Sequence, residues 1–162
     1  MEGSRFAAGT RPVGEAIDPA GAFMYVANGN SDNISAYVIN AESGALTQVQ
    51  DQPFAAGEYP WQVAIDPTGK FAYVANYDSN NVSAYAIDAK SGALTQVQGS
   101  PFAAGTNPVG VAVDPTGAFL YVTNHGSNSV SVYAVNASSG ALTKVKGSPF
   151  LAGSNPFDVV IR

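Results

Sequence analysis

The chain holds one histidine, one tryptophan and no cysteine, so the side chains able to do chemistry can be taken one at a time. His125 is a candidate general base, but hydrolysis would require a nucleophile beside it and a carboxylate to orient the ring. No such partner stands near it in the sequence. Asp18, Asp66 and Asp114 recur every 48 residues and could be read as a ring of metal-binding carboxylates. Each precedes a proline, however, and Asp66-Pro67-Thr68-Gly69 and Asp114-Pro115-Thr116-Gly117 have the residues of a type I turn, with Asp first, Pro second and Gly fourth. Turn capping is the better reading. Trp61 is either a stacking platform for a sugar or other flat ligand, or space-filling at the start of a strand, the role its counterparts Val13, Val109 and Phe157 suggest. No spacing matches a calcium loop, a phosphate loop, a nucleophile elbow or a His-based zinc motif. The lack of thiols excludes disulfides, thiolate zinc sites and cysteine nucleophiles. No catalytic residue, metal site or cofactor is assigned.

What positions these residues is a repeat. Tyr25-Val26-Ala27-Asn28 returns as Tyr73-Val74-Ala75-Asn76 and as Tyr121-Val122-Thr123-Asn124, each 48 positions from the next. The Ser-Gly-Ala-Leu-Thr runs from Ser43, Ser91 and Ser139 and the Pro-Phe pairs at Pro53, Pro101 and Pro149 keep the same offset. The 162 residues therefore divide into units of about 6–53, 54–101 and 102–149, with 150–162 a surplus copy of the opening segment. A period of 40 to 50 residues means propeller blades or helical arrays. Val, Tyr, Phe and Thr dominate, and 17 Gly and 10 Pro punctuate them, which is strand and turn chemistry.

Within each unit an apolar run such as Trp61 to Ile65 reads as a strand buried on both faces, here strand A. The Asp-Pro turn leads to strand B (Phe71 to Ala75), a polar loop to strand C (Val130 to Val135 in the third unit), and a Ser-Gly turn to strand D (Ala93 to Gln98), an exposed edge. Four short antiparallel strands per unit predict an all-β propeller with three blades.

The Tyr121 tetrapeptide, with Asn107-Pro108, Asp114-Pro115-Thr116-Gly117 and Ser139-Gly140-Ala141-Leu142-Thr143, resembles the YVTN-type β-propeller repeat of bacterial lactonase-like proteins. That resemblance implies a ring of about seven blades, some of whose members are thought to hydrolyse sugar lactones. The residues that match are turn formers and packing residues, so the resemblance speaks to the scaffold more than to activity.

Three blades leave two apolar faces open, which predicts a homodimer that closes as a six-bladed ring. Residues 6–18 and 150–162 compete for the innermost position of blade one. Glu15 stands where the other copies have Val63, Val111 and Val159, and burying a lone carboxylate is costly. The C-terminal strand of the partner, Phe157 to Ile161, is accordingly expected there, unless Glu15 points into a wet central channel.

The loops from D to A and from B to C line one mouth of the ring. They would present Arg11, Tyr59, Trp61, Asn107 and Asn155 from the first type and Asn28, Asn30, Tyr77, Asp78 and His125 from the second, to a small molecule, glycan or peptide. Charged residues make up 12% of the chain and the net charge is −5. With no basic cluster, nucleic acid is excluded as a partner. No apolar run reaches membrane-spanning length, and no signal peptide is encoded, so the chain as written is expected in the cytoplasm. Function is expected to be that of a self-assembling binding scaffold, with a sugar-lactone hydrolase, or part of a longer ring, as the alternative.

Overall fold

The computed structural model describes residues 6–159 and is built from strands alone. In blade one, β1 (Pro12–Ile17), β2 (Phe23–Asn28), β3 (Asn33–Ile39) and β4 (Leu46–Gln48) pair antiparallel in that order, with β5 (Phe54–Ala55) also on β3. Blade two repeats this with β6 (Pro60–Ile65), β7 (Phe71–Asn76), β8 (Asn81–Ile87), β9 (Leu94–Gln96) and β10 (Phe102–Ala103). Blade three does so with β11 (Pro108–Val113), β12 (Phe119–Asn124), β13 (Ser129–Val135), β14 (Leu142–Lys144) and β15 (Phe150–Leu151).

The turns form as their residues dictate. Each buried aspartate of the first two units ends strand A and caps the turn behind it. Asp66 Oδ1 accepts from the amides of Lys70 at 2.8 Å and Phe71 at 2.7 Å, while its Oδ2 accepts from Thr68. Asp18 does the same for Ala20, Ala22 and Phe23, and Asp114 for Thr116 and Phe119. Among the described residues no group of three or more His, Cys, Asp or Glu could hold a metal ion.

The outer strand differs from the expectation. Strand D is two short pieces, not one run, because the chain leaves the edge at Gly99, which has a φ of 87°, and Pro101 has no amide to donate to a ladder. The gap is closed by Ser100, whose hydroxyl accepts from the Ala84 amide of β8 at 2.9 Å. Phe102-Ala103 then returns to pair with β8, so this dipeptide closes the blade before it and does not open the next. Blades accordingly span residues 12–55, 60–103 and 108–151.

The innermost strand of blade one is the chain's own N-terminal copy, since β1 pairs with β2 and sets Glu15 opposite Val26. The expectation that a C-terminal strand would take this place is overturned. Its physical premise fails because Glu15 is exposed, so its charge keeps its hydration. Phe157 to Val159 form no strand, and the remainder of that expected strand lies outside the described residues.

Blades stack by alternation along strand B. Phe23, Tyr25 and Ala27 face blade two and meet Val63, Ala72, Val74 and Leu94. Phe71, Tyr73 and Ala75 face blade three and meet Val111, Leu120, Val122 and Leu142. Side chains of a strand alternate between faces, so β7, sandwiched on both sides, is buried at every position. Hydrogen bonds join the blades too: the hydroxyls of Tyr25 and Tyr73 donate to the Gly92 carbonyl at 2.9 Å and to the Gly140 carbonyl at 3.1 Å.

Candidate binding site at the channel mouth

Each mouth loop is built on a buried asparagine. Asn76 is fully buried; its Oδ1 accepts from Gly57 N at 3.2 Å, and its Nδ2 donates to Asn81 at 2.7 Å and Ser83 at 2.9 Å. Asn28 and Asn124 repeat the arrangement. Asn28 therefore braces the loop from within and is not offered to a ligand, which corrects its place among the mouth residues.

The loops pair backbone to backbone: Tyr77 N donates to Tyr59 O at 2.9 Å, and His125 N to Asn107 O at 2.9 Å. The residue entering strand A sits in the left-handed region in every unit, at Arg11 (φ 56°), Tyr59 (52°), Asn107 (50°) and Asn155 (53°). Asparagine tolerates that region, whereas a bulky side chain is strained in it by roughly 1–2 kcal/mol. In the last three the amide is clamped, by Asp32, Asn80 and Asn128 respectively, for example Tyr59 N to Asp32 Oδ1 at 2.9 Å.

Tyr59, so placed, is the hub of an aromatic arc. Its ring lies 5.7 Å from that of Trp61 and 5.8 Å from that of Tyr77, and Trp61 and Tyr77 are 5.5 Å apart at 33°. Arg11 lies over the Tyr59 ring at 5.1 Å, within cation–π range. On the other side Phe157 meets Trp61 edge-on at 5.8 Å and His125 at 6.4 Å. The Nε2 atom of His125 is 3.1 Å from the Asn155 amide nitrogen. All three aromatics of the hub are half-buried, and Arg11 is exposed. Beside them opens a cavity of about 260 Å³, lined by Val13, Gly14, Glu15, Trp61, Gln62, Phe157 and Asp158.

Arg11, Tyr59, Trp61, Tyr77, His125 and Asn155 are thus brought into one continuous arc. Asn107 turns its amide onto the Tyr77 carbonyl at 3.2 Å, so it supports the arc from behind. Asn30 and Asp78 are exposed on the loop tips, their amides bonded to Thr10 O and Glu58 O. The sequence reading missed Phe157, Gln62 and Asp158. Phe157 was legible, since it is the counterpart of Trp61 one repeat step beyond Val109, whereas the lining by Gln62 and Asp158 follows only from the twist of the inner strands. The ring pairs supply flat apolar faces, and Arg11, His125 and Asn155 supply hydrogen bonds at their edge; that combination suits a ring with polar substituents.

Three four-stranded sheets stacked around an axis, with their loops gathered at one mouth, make this a run of β-propeller blades. The profile described as "Lactonase, 7-bladed beta-propeller" matches residues 4–107 and 98–161. The chain belongs to that seven-bladed lactonase family. Among solved structures it is similar to a candidate 6-phosphogluconolactonase from Bacteroides uniformis, at a TM-score of 0.82 and 22% identity over 93% of this chain and 43% of that one. A protein from Lactobacillus plantarum aligns at a TM-score of 0.82 and 23% identity, over 94% of this chain and 45% of that one. The periplasmic gluconolactonase of Pseudomonas aeruginosa aligns at 0.74 and 26% identity, over 89% and 40%. The chain spans less than half the length of each. No curated protein matches it.

Proposed function

We propose that the mouth binds the ring of a sugar lactone, or the open chain of the sugar acid that its hydrolysis yields, as the blade-borne part of a lactonase-like propeller. One observation carries this reading: Tyr59 is held in a strained backbone conformation, and the strain places its ring against Trp61 and Tyr77 and under Arg11. The left-handed slot itself belongs to the repeat; what is particular here is a bulky ring kept in a slot that asparagine tolerates better, and residues held in such conformations cluster at ligand sites. A pyranose presents C–H faces that stack on such rings and hydroxyls that reach Arg11 and Asn155. With one guanidinium at the arc and two carboxylates, Glu15 and Asp158, in the adjoining cavity, an uncharged lactone suits the site better than a phosphorylated one.

Hydrolysis adds a demand for a base to activate water. His125, Glu15 and Asp158 are the candidates. A second reading, binding without turnover, is favoured by the partner of His125, which is the Asn155 amide and not a carboxylate.

Trp61 is the sole tryptophan, so its fluorescence reports the site directly. Titration with glucono-1,5-lactone and with gluconate should give a saturable change that Tyr59→Asn abolishes. No change with either ligand would refute the reading. A fluorescence change together with lactone turnover lost in Glu15→Gln and His125→Ala supports hydrolysis, and a change without turnover supports the second reading.

A further inference from the structure

We propose that the cleft between the turns of blades one and two, on the face opposite the mouth, is a separate binding site, and that it takes a small organic ammonium with an apolar body. This goes beyond the lactone reading and does not depend on it.

The mouth gathers the loops from D to A and from B to C, so the Asp-Pro and Ser-Gly turns lie at the other end of each blade. There the junction of blades one and two holds a cavity of about 370 Å³, larger than the one beside the aromatic arc. Both of its walls belong to that internal junction, where Phe23 packs on Gly92 and Tyr25 donates to the Gly92 carbonyl. Ala22, Phe23 and Ile87 give the cavity apolar sides, and Asp18 lines it with a carboxylate. The two Asp-Pro turns approach each other at its rim, where a Cβ on Gly69 would lie 3.5 Å from Pro19 Cδ.

The repeat shows what this cleft lacks. Asp66 and Asp114 each accept a hydrogen bond from the hydroxyl of the threonine two residues on, Thr68 and Thr116. Unit one has Ala20 at that place, so the described partners of Asp18 are backbone amides alone. Its Oδ1 accepts from Ala22 N at 2.7 Å and Phe23 N at 2.6 Å, and its Oδ2 only from Ala20 N at 3.1 Å. Asp18 is 8% exposed, and a carboxylate oxygen has room for two donors. One acceptor position of a buried carboxylate is thus left open, which is costly unless something fills it.

The space is opened at the same place. Ala20 and Ala22 stand where unit two carries Thr68 and Lys70, so the missing donor and the missing side-chain bulk coincide. An occupant that restores both has an N–H donor on a compact apolar body. A positive charge suits it best, because the partners that Asp18 already has are neutral, and a bond from an ammonium to a carboxylate is roughly twice as strong as a neutral one.

Proton–nitrogen correlation spectra of the whole chain, titrated with benzylamine, test this. Saturable shifts should gather at the amides of Ala20, Ala22, Phe23 and Gly69. Benzyl alcohol should bind about tenfold more weakly, as the loss of a charged hydrogen-bond partner requires, and benzoate should not bind. Ala20→Thr gives unit one the turn residue that units two and three already carry, so it should keep the fold and weaken benzylamine by about tenfold. Ala22→Lys should also weaken it, by filling the cleft, whereas Lys70→Ala, outside the lining, should leave the affinity unchanged. Benzylamine shifts confined to the mouth, an affinity indifferent to Ala20→Thr, or benzyl alcohol binding as tightly as benzylamine would each overturn the proposal.

Discussion

Removing the Tyr73 hydroxyl isolates the force that joins neighbouring blades. The ring is fully buried and stays so in Tyr73→Phe, which loses only the bond to Gly140 O. A neutral hydrogen bond contributes ~1 kcal/mol net, and a buried carbonyl left without its donor raises the cost towards ~2 kcal/mol. The expected loss is therefore about 1.5 kcal/mol. With a urea slope of about 2 kcal/mol per molar, the midpoint falls by roughly 0.7 M. Tyr25→Phe, which loses the corresponding bond to Gly92, should match it. Tyr121→Phe is the internal control: among the described residues its hydroxyl has no partner, and the shift should stay within ~0.5 kcal/mol, as at an unconstrained surface position. Urea melts followed by far-UV circular dichroism would measure all three. Equal shifts at Tyr73 and Tyr121, or none at Tyr73, would refute the claim that this bond matters to blade stacking.

Asn76→Ala deletes the brace that serves Gly57, Asn81 and Ser83 and should cost about 2–3 kcal/mol in the same melts, by leaving buried partners unpaired. Alkaline pH should destabilise the fold: burial raises the hydroxyls of Tyr25, Tyr73, Tyr85 and Tyr133, the last to about 12. Stability from these groups is intact below pH ~10, the pKa of an unfolded tyrosine, and is lost as pH climbs through the folded values. A thermal midpoint constant from pH 9 to 12 would contradict this.

The scaffold was legible because its signals recur: an apolar run, Asp-Pro and an aromatic strand mean little once, but at one spacing three times they define a blade. What escaped was whatever depends on neighbours in space. Phe54-Ala55 and Phe102-Ala103 follow a proline and look like openings, yet they pair back onto β3 and β8, the second across a gap that Ser100 bridges. Glu15 looked like a liability because its counterparts are valines, but its carboxylate is exposed. Asn28 was placed at the mouth by its loop, although its side chain turns inward to Ser35. Tyr59 was recognised as variable, but not as strained: only the Asn at positions 107 and 155 hinted that this slot prefers a left-handed residue.

The reach of the tyrosine bonds has a consequence for biosynthesis. Tyr25 and Gly92 are 67 residues apart, as are Tyr73 and Gly140. A blade emerging from the ribosome can form its hairpins at once but cannot be locked until most of the following blade has been made. Assembly is then vectorial, each unit held in an unlatched state for the several seconds that 67 residues take at about 5–20 residues per second.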